Sequence, residues 1–437
     1  MDPQILPRSA EANQRLHELV PGGAHTYAKG DDQYPEGLAP VISHGRGAHV
    51  WDVDGNEYIE YGSGLRSVSL GHAHPRVVEA VRRELDRGTN FVRPCIVELS
   101  AAEKFLATVP TANMVKFAKN GSDVTTAAVR LARAATGRPV VAICGDHPFF
   151  STDDWFIGTT GMPAGIPPQI TGLTVRFPYG DLAATEDILR DHDVACLILE
   201  AATAVEPPPG YLAGLRALAD RYGVVLIFDE MITGFRWSEA GAQGYYGVTP
   251  DLSTFGKALG NGFAVSALAG KRELMELGGL HDSRERVFLL STTHGAETHS
   301  LAAAMAVMDT YVEEGIAARL HALGERLASG VRDVAAAMGV GDHVVVRGRA
   351  CNLVFGTLDE QLRPSQSYRT LFLRQLVAGG VLGPSFVVSS ALTDADIDRT
   401  VDVVAQACAV YRKALDVEDP TPWIGGRPVK PVFRPYA

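Results

Sequence analysis

Between Val41 and Tyr61 polar and apolar residues alternate in two runs, Ala48-His49-Val50-Trp51-Asp52 and Glu57-Tyr58-Ile59-Glu60-Tyr61, on either side of Asp54-Gly55-Asn56. A period of two around an Asp-Gly turn predicts a β-hairpin within a meander. Before it, a short helical pattern ends at Pro21-Gly22-Gly23, and the spacing turns helical again from Pro75 to about Arg87. The middle of the chain has another character. Val140-Val141-Ala142-Ile143, Cys196-Leu197-Ile198-Leu199, Val224-Val225-Leu226-Ile227-Phe228 and Val265-Ser266-Ala267-Leu268-Ala269 are nearly unbroken apolar runs separated by helical stretches. Runs without alternation predict strands buried on both faces, as in a parallel sheet covered by helices. The β/α alternation predicts an α/β domain. A long helical stretch from about His299 to Met338 follows, and the remainder mixes strands and helices before a Pro-rich tail. There is no internal repeat.

Composition narrows the function. A chain of 437 residues with 46% hydrophobic residues can bury a sizeable core and divide into domains. No apolar stretch reaches the length of about 18 residues needed for a transmembrane helix. The opening Met-Asp-Pro-Gln-Ile-Leu-Pro lacks the basic and apolar regions of a signal peptide. A net charge of −11 with no Lys/Arg-rich run argues against nucleic acid as a partner. Five scattered cysteines, Cys95, Cys144, Cys196, Cys351 and Cys408, without a CxxC pair, read as reduced thiols of a cytoplasmic protein.

Three segments could carry chemistry. Asp229 ends an apolar strand in Phe228-Asp229-Glu230-Met231, where ligands of open α/β sheets gather; alone, it reads equally as a helix cap or an ion-paired acid. Lys257 stands among glycines in Gly256-Lys257-Ala258-Leu259-Gly260-Asn261-Gly262. Glycines there point to a bend or a close approach, and a confined lysine can form a Schiff base with a carbonyl cofactor. Asn120-Gly121-Ser122-Asp123 opens a helical run, which offers free N–H groups to an anion as well as an ordinary capped start. Together, a phosphate cup, a strand-end carboxylate and a glycine-flanked lysine are the three things a pyridoxal phosphate site needs.

Over nearly its whole length the chain resembles the class III aminotransferases of fold type I, most of all the branch containing glutamate-1-semialdehyde aminomutase. The resemblance rests on Pro21-Gly22-Gly23, Trp51-Asp52-Val53-Asp54-Gly55-Asn56, Leu70-Gly71-His72-Ala73-His74-Pro75, Asn120-Gly121-Ser122-Asp123 and Phe228-Asp229-Glu230-Met231-Ile232-Thr233-Gly234-Phe235-Arg236. It continues through Gly256 to Gly262 and, more loosely, Gly380-Val381-Leu382-Gly383-Pro384-Ser385. It implies a large domain with a mainly parallel sheet covered by helices, residues 71–325, and a small α+β domain from both chain ends, 1–70 and 326–437. It also implies pyridoxal 5'-phosphate as cofactor, with Lys257 carrying its aldehyde and shuttling the proton. Asp229 would pair with the pyridine nitrogen; at about 4 Å and an effective dielectric of about 20 that attraction is roughly 4 kcal/mol. Met231 would pack on one ring face, Gly121 and Ser122 would bind the phosphate, and His147 and Glu200 would lie at the cofactor. Thr293 falls where the family uses a threonine of the neighbouring subunit, which implies a homodimer.

The chain also departs from that branch. Asp146-His147-Pro148 stands where the branch has an aromatic followed by His-Gly, so Phe149 or Phe150 becomes the candidate for stacking on the ring. Lys29 takes the place of the arginine that grips the substrate carboxylate, offering a point charge instead of a fork. Ser63-Gly64-Leu65 replaces a Ser-Trp pair. Lys29 and Ser63 thus mark the expected substrate region, and Arg236 reads as a carboxylate ligand or a structural ion pair. The leading expectation is an aminotransferase acting between an amine donor and a small carbonyl acceptor. An aminomutase is the alternative, a metal-dependent hydrolase using His72 and His74 a remote one, and a non-catalytic protein retaining the cofactor another. No metal and no membrane enter the leading reading.

Overall fold

The structure is a computed structural model that describes residues 6–417, 421–432 and 434. The opening residues, on which the absence of a leader was read, and parts of the Pro-rich tail lie outside the described residues. Two compact units emerge, one from residues 65–68 and 75–317, the other from 1–64, 69–74 and 318–437.

In the unit built from both chain ends, strands β1 (Ile42–Arg46), β2 (His49–Asp52) and β3 (Glu57–Glu60) form the expected meander, with His49 opposite Ile59. Asp52 closes its turn by accepting the N–H groups of Asp54 and Asn56 on Oδ1 at 2.9 and 2.8 Å. This is the Asx-type bonding that favours Asp in turns.

The larger unit holds β4 (Met114–Ala118), β5 (Val140–Cys144), β6 (Thr174–Phe177), β7 (Val194–Leu199), β8 (Val225–Asp229), β9 (Leu252–Phe255) and β10 (Ser266–Gly270). They form one sheet in the order β4-β10-β9-β8-β7-β5-β6. Neighbours from β9 to β6 are parallel, and β10 runs antiparallel to both β9 and β4. Every residue of β7 and β8 is buried, as the unbroken apolar runs require. Helix Gly121–Thr136 packs on the sheet, and helix Thr298–Glu314 packs on Pro75–Leu85 and Ile96–Thr108.

The long helical stretch expected from His299 to Met338 is instead two helices, Thr298–Glu314 and Ile316–Ala337. Gly315, at φ 62°, caps the first in the left-handed conformation that glycine adopts without a Cβ clash. The end-built unit is completed by the hairpin β11 (Val344–Arg347) and β12 (Val354–Thr357), by helices Gln366–Ala378 and Asp394–Leu415, and by β13 (Val381–Leu382), which lies parallel to β3. Leu38, Val50, Tyr58, Val377 and Leu382 form one of its core clusters. Among the described residues no helix is long and apolar enough to cross a membrane.

Candidate active site

Strands β4, β5, β7, β8 and β9 finish at the same edge of the sheet, and the residues that follow each end carry the site. Asn120-Gly121-Ser122 follow β4, Asp146 and His147 follow β5, and Glu200 follows β7. Asp229 closes β8, and Gly256-Lys257 follow β9. β10 begins at this edge, where the Ser266 hydroxyl donates to the Asn120 carbonyl at 2.8 Å. The carboxyl edge of a mainly parallel sheet is where such folds bind ligands.

Asp229 is buried and held by its Oδ1, which accepts the Met231 N–H at 2.9 Å and the Thr254 hydroxyl at 3.2 Å. Burial pushes its carboxyl up to about 6, against the charge of Lys257 and these two donors. Burial lowers the Lys257 ammonium from its ordinary value, opposed by Asp229 and Glu200 and reinforced by Arg66 and Arg236. Glu200, on the neighbouring strand end, is pushed up to about 8, first by burial and then by the charge of Asp229; Lys257 and Arg66 oppose the shift. Lys257, Asp229 and Glu200 therefore sit within electrostatic reach of one another, and the lysine is the partly exposed member.

Two missing side chains shape this corner. A Cβ on Gly256 would lie 2.7 Å from Met231 Sδ, and one on Gly121 would lie 3.0 Å from the same sulfur. Met231 thus sits between the ends of β4 and β9, and glycine at both positions admits it. Gly121 and Ser122 head a 16-residue helix, and the Asn120 N–H is already taken by Asp123 Oδ2 at 2.9 Å. The Ser122 hydroxyl accepts the Thr152 N–H at 3.0 Å and keeps its own proton as a donor.

His147 is buried against Tyr179, with ring centroids 5.0 Å apart. Its Nδ1 accepts the Glu200 N–H at 3.0 Å, which leaves the neutral ring's proton on Nε2. Burial lowers its pKa to about 4, against the charge of Asp146. Its Nε2 is buried without a hydrogen-bond partner among the described residues. Asp146 is exposed and accepts the Tyr179 N–H at 2.7 Å. Of the aromatics expected to replace it, Phe150 is buried edge-on against Phe156, and Phe149 is partly exposed beside the same ring. Tyr179, which follows β6, was not among the sequence candidates, because its segment shows only a Pro-Tyr-Gly turn.

Arg66 was missed as well. Ser63, Gly64, Leu65 and Arg66 all have positive φ, from 45° to 73°, so the backbone makes a left-handed turn. Such a turn costs about 1–2 kcal/mol per non-glycine residue. Arg236 is fully buried and donates to the Arg66 carbonyl at 3.0 Å; Phe235, just before it, also has positive φ, 59°. Lys257 and Asn261 add values of 46° and 43°. Backbone conformations of this kind concentrate at functional sites.

Thr293 is exposed on a loop of the same unit, and its carbonyl accepts Asn90 Nδ2 at 2.8 Å. Lys29 and Ser63 belong to the other unit, where Lys29 is exposed and the buried Ser63 hydroxyl donates to the Val387 carbonyl at 3.2 Å. In that unit His72 Nε2 bonds Glu60 Oε2 at 3.2 Å. Among the described residues no three His, Cys, Asp or Glu side chains are grouped to hold a metal ion.

The residues fit pyridoxal phosphate. Lys257 offers an amine, Asp229 a fixed carboxylate, the helix start an anion site, and His147 an unspent buried donor. Gly121 and Gly256 leave room where a Cβ would intrude.

Comparison with known proteins agrees. A protein of Desulfitobacterium hafniense named glutamate-1-semialdehyde 2,1-aminomutase is 34% identical over 421 residues, covering 90% of this chain and 96% of that one. One of the same name from Methanothrix thermoacetophila is 32% identical over 435 residues, covering 94% and 98%. The crystal structure of an omega-transaminase from Sphaerobacter thermophilus matches with a TM-score of 0.82 at 26% identity, over 92% of this chain and 97% of that one. The parallel sheet with its helical cover is the fold expected from the sequence. The family described as Aminotransferase class-III matches residues 31–407, and the chain belongs to it.

Proposed function

We propose that this protein is a pyridoxal-phosphate-dependent aminotransferase that moves an amino group from an amine donor to a small carbonyl acceptor, with Lys257 as its cofactor-bearing residue. Bound there, the cofactor supplies an aldehyde for the amine and a ring that takes up electrons when a substrate Cα–H bond breaks. The observation that carries this reading is the coupled group of Lys257, Asp229 and Glu200 on adjacent strand ends. An ammonium lowered by burial reaches its neutral, nucleophilic form nearer to physiological pH, and can take and return a proton.

Asp229, fixed by the Met231 N–H and the Thr254 hydroxyl, would hold the ring nitrogen and keep it cationic. Met231 would pack against the ring, and the N–H groups and dipole at Gly121 and Ser122 would hold the phosphate. His147 contributes its Nε2–H, and Glu200 stands behind as a proton-bearing neighbour. The exposed Thr293 serves the phosphate of a second subunit, so the enzyme is a homodimer with its sites at the interface. Free thiols, four of them buried, support a reducing, cytoplasmic setting.

The test is a panel of amine donors added to the cofactor-loaded protein while its visible absorbance is followed. At least one donor converts the spectrum in wild type, and Lys257→Ala abolishes turnover and borohydride trapping. A cofactor that no donor alters, or a Lys257→Ala variant still trapped by borohydride, overturns the reading.

An aminomutase is the second reading, because relatives at 32–34% identity carry that name. Lys29 and Ser63-Gly64-Leu65, which replace that branch's arginine and Ser-Trp pair, weigh against it. Isomerisation without a second substrate would favour it; ping-pong release of a keto product favours transamination.

A further inference from the structure

Glu297 holds the N-cap position of helix Thr298–Glu314, where Ser, Thr, Asp or Asn is the favoured residue, and its side chain caps no N–H of that helix. Its carboxylate turns elsewhere. Oε1 accepts His294 Nδ1 at 2.8 Å, and Oε2 accepts Lys119 Nζ at 2.9 Å. The carboxylate lies largely buried beneath these two more exposed partners. Lys119, ahead of partial burial and His294, holds the acid below its ordinary range.

Both partners adjoin the phosphate machinery. Lys119 immediately precedes Asn120-Gly121-Ser122, and the start of that helix is pinned by Ser266 on the Asn120 carbonyl and by Asp123 on the Asn120 N–H. His294 immediately follows Thr293. A turn bond from the Gly295 N–H to the Thr292 carbonyl, 3.3 Å, puts Thr293 and His294 at the tip of the loop. Asn90 holds the Thr293 carbonyl from one side, and Glu297 ties the tip, through His294, to the start of the phosphate-binding helix. Hydrogen bonds to an ionised carboxylate are the shorter and stronger kind, so the exposed tip is anchored to the most firmly fixed part of the site.

We propose that Glu297 is a positioning residue for the cofactor's phosphate: by bridging Lys119 and His294 it holds the Thr293 hydroxyl in place for a second subunit. The inference rests on the reading of Thr293 given above. A hydroxyl fixed before the phosphate arrives binds it without a further ordering cost, whereas one on a loose loop must be ordered on binding.

The test compares affinity for pyridoxal phosphate with affinity for pyridoxal, which lacks the phosphate, by titration of the dimeric protein stripped of cofactor. Glu297→Ala removes the whole bridge. His294→Ala, on an exposed side chain, cuts only its link to the loop and leaves the helix start intact. Each should weaken pyridoxal phosphate by about 5-fold or more and leave pyridoxal within about 2-fold, with Glu297→Gln falling between Glu297→Ala and wild type. Thr293→Ala should weaken pyridoxal phosphate by itself, and in that background neither variant should cost anything more.

Equal losses on both ligands would reduce Glu297 to a structural role, and unchanged phosphate-dependent affinity in both variants would overturn the proposal. So would losses that add in full to that of Thr293→Ala, because Glu297 would then act by another route. If Thr293→Ala leaves affinity intact, the reading of Thr293 fails and the inference fails with it; if Thr293→Ala weakens binding and the other two do not, the inference alone fails.

Discussion

Glu200 and Asp229 close neighbouring strands, and their proximity to each other and to Lys257 sets how the site responds to pH. Glu200 is pushed up to about 8 from an ordinary 4.5, so the folded site holds a proton there that the unfolded chain releases. A carboxyl of this kind stabilises the fold relative to its ionised form below about pH 4.5, and that advantage is lost as pH rises through 8. Asp229, raised to about 6, acts in the same direction over a lower window. Lys257, lowered from 10.5, acts with the opposite sign and nearer its own range. Glu200→Gln isolates one term because the amide never ionises. In cofactor-free protein, the melting temperature of wild type relative to Glu200→Gln should fall steadily between pH 5 and pH 8. A difference that stays flat across that window would show that Glu200 is not a buried, proton-bearing neighbour of Asp229.

Lys257, Asp229, Gly121 and Ser122 stand out in the sequence itself, His147 and Glu200 only through the family resemblance, and the structure brings all six to the carboxyl edge of one sheet. Arg66 was not legible, because what presents it is a left-handed turn in Ser63-Gly64-Leu65-Arg66, and a single glycine does not announce four positive φ values. Thr254 was hidden for another reason. Its hydroxyl reaches Asp229 across paired strands, a contact that depends on register and not on local pattern.

At the scale of elements, buried strands declared themselves as apolar runs, since two covered faces leave no polar side to alternate with. The division of the long helix at Gly315 was present as a glycine after Glu313-Glu314 and was passed over because helical spacing resumes at once. The packing of the three strand ends around Met231 could not be read at all, because it depends on which glycines face one sulfur. It makes a sharp prediction. Gly256 has φ near 179°, which any residue adopts, so Gly256→Ala introduces no backbone strain. Its methyl would nevertheless sit 2.7 Å from Met231 Sδ, an overpacking that costs about 1–3 kcal/mol. Met231→Ala removes the obstacle, so the double variant should be less destabilised than the sum of the singles in urea denaturation. Strict additivity would mean that Met231 does not occupy the space between the two glycines.

For the whole molecule, the remaining prediction concerns assembly. Phe91, Val92, Ile96 and Leu99 are exposed together at the start of helix Ile96–Thr108, with Val92 fully accessible. The segment just before them is tied to the Thr293 loop. Thr298 bonds the carbonyls of Gly88 and Thr89 at 2.9 and 3.0 Å, and Asn90 bonds the carbonyl of Thr293. An apolar patch adjoining an exposed threonine suits a surface buried against a second copy. In the proposed dimer, where Thr293 would serve the opposite phosphate, the hold on the cofactor should depend on that contact. Val92→Asp with Ile96→Asp places two charges in the patch without touching Lys257, Asp229 or the helix start. Light scattering should then report a monomer, and the monomer should lose most of its affinity for pyridoxal phosphate while keeping its circular dichroism. A wild type that is already monomeric with cofactor tightly bound would sink the shared-site arrangement, and a monomeric double variant that binds cofactor normally would separate assembly from the phosphate.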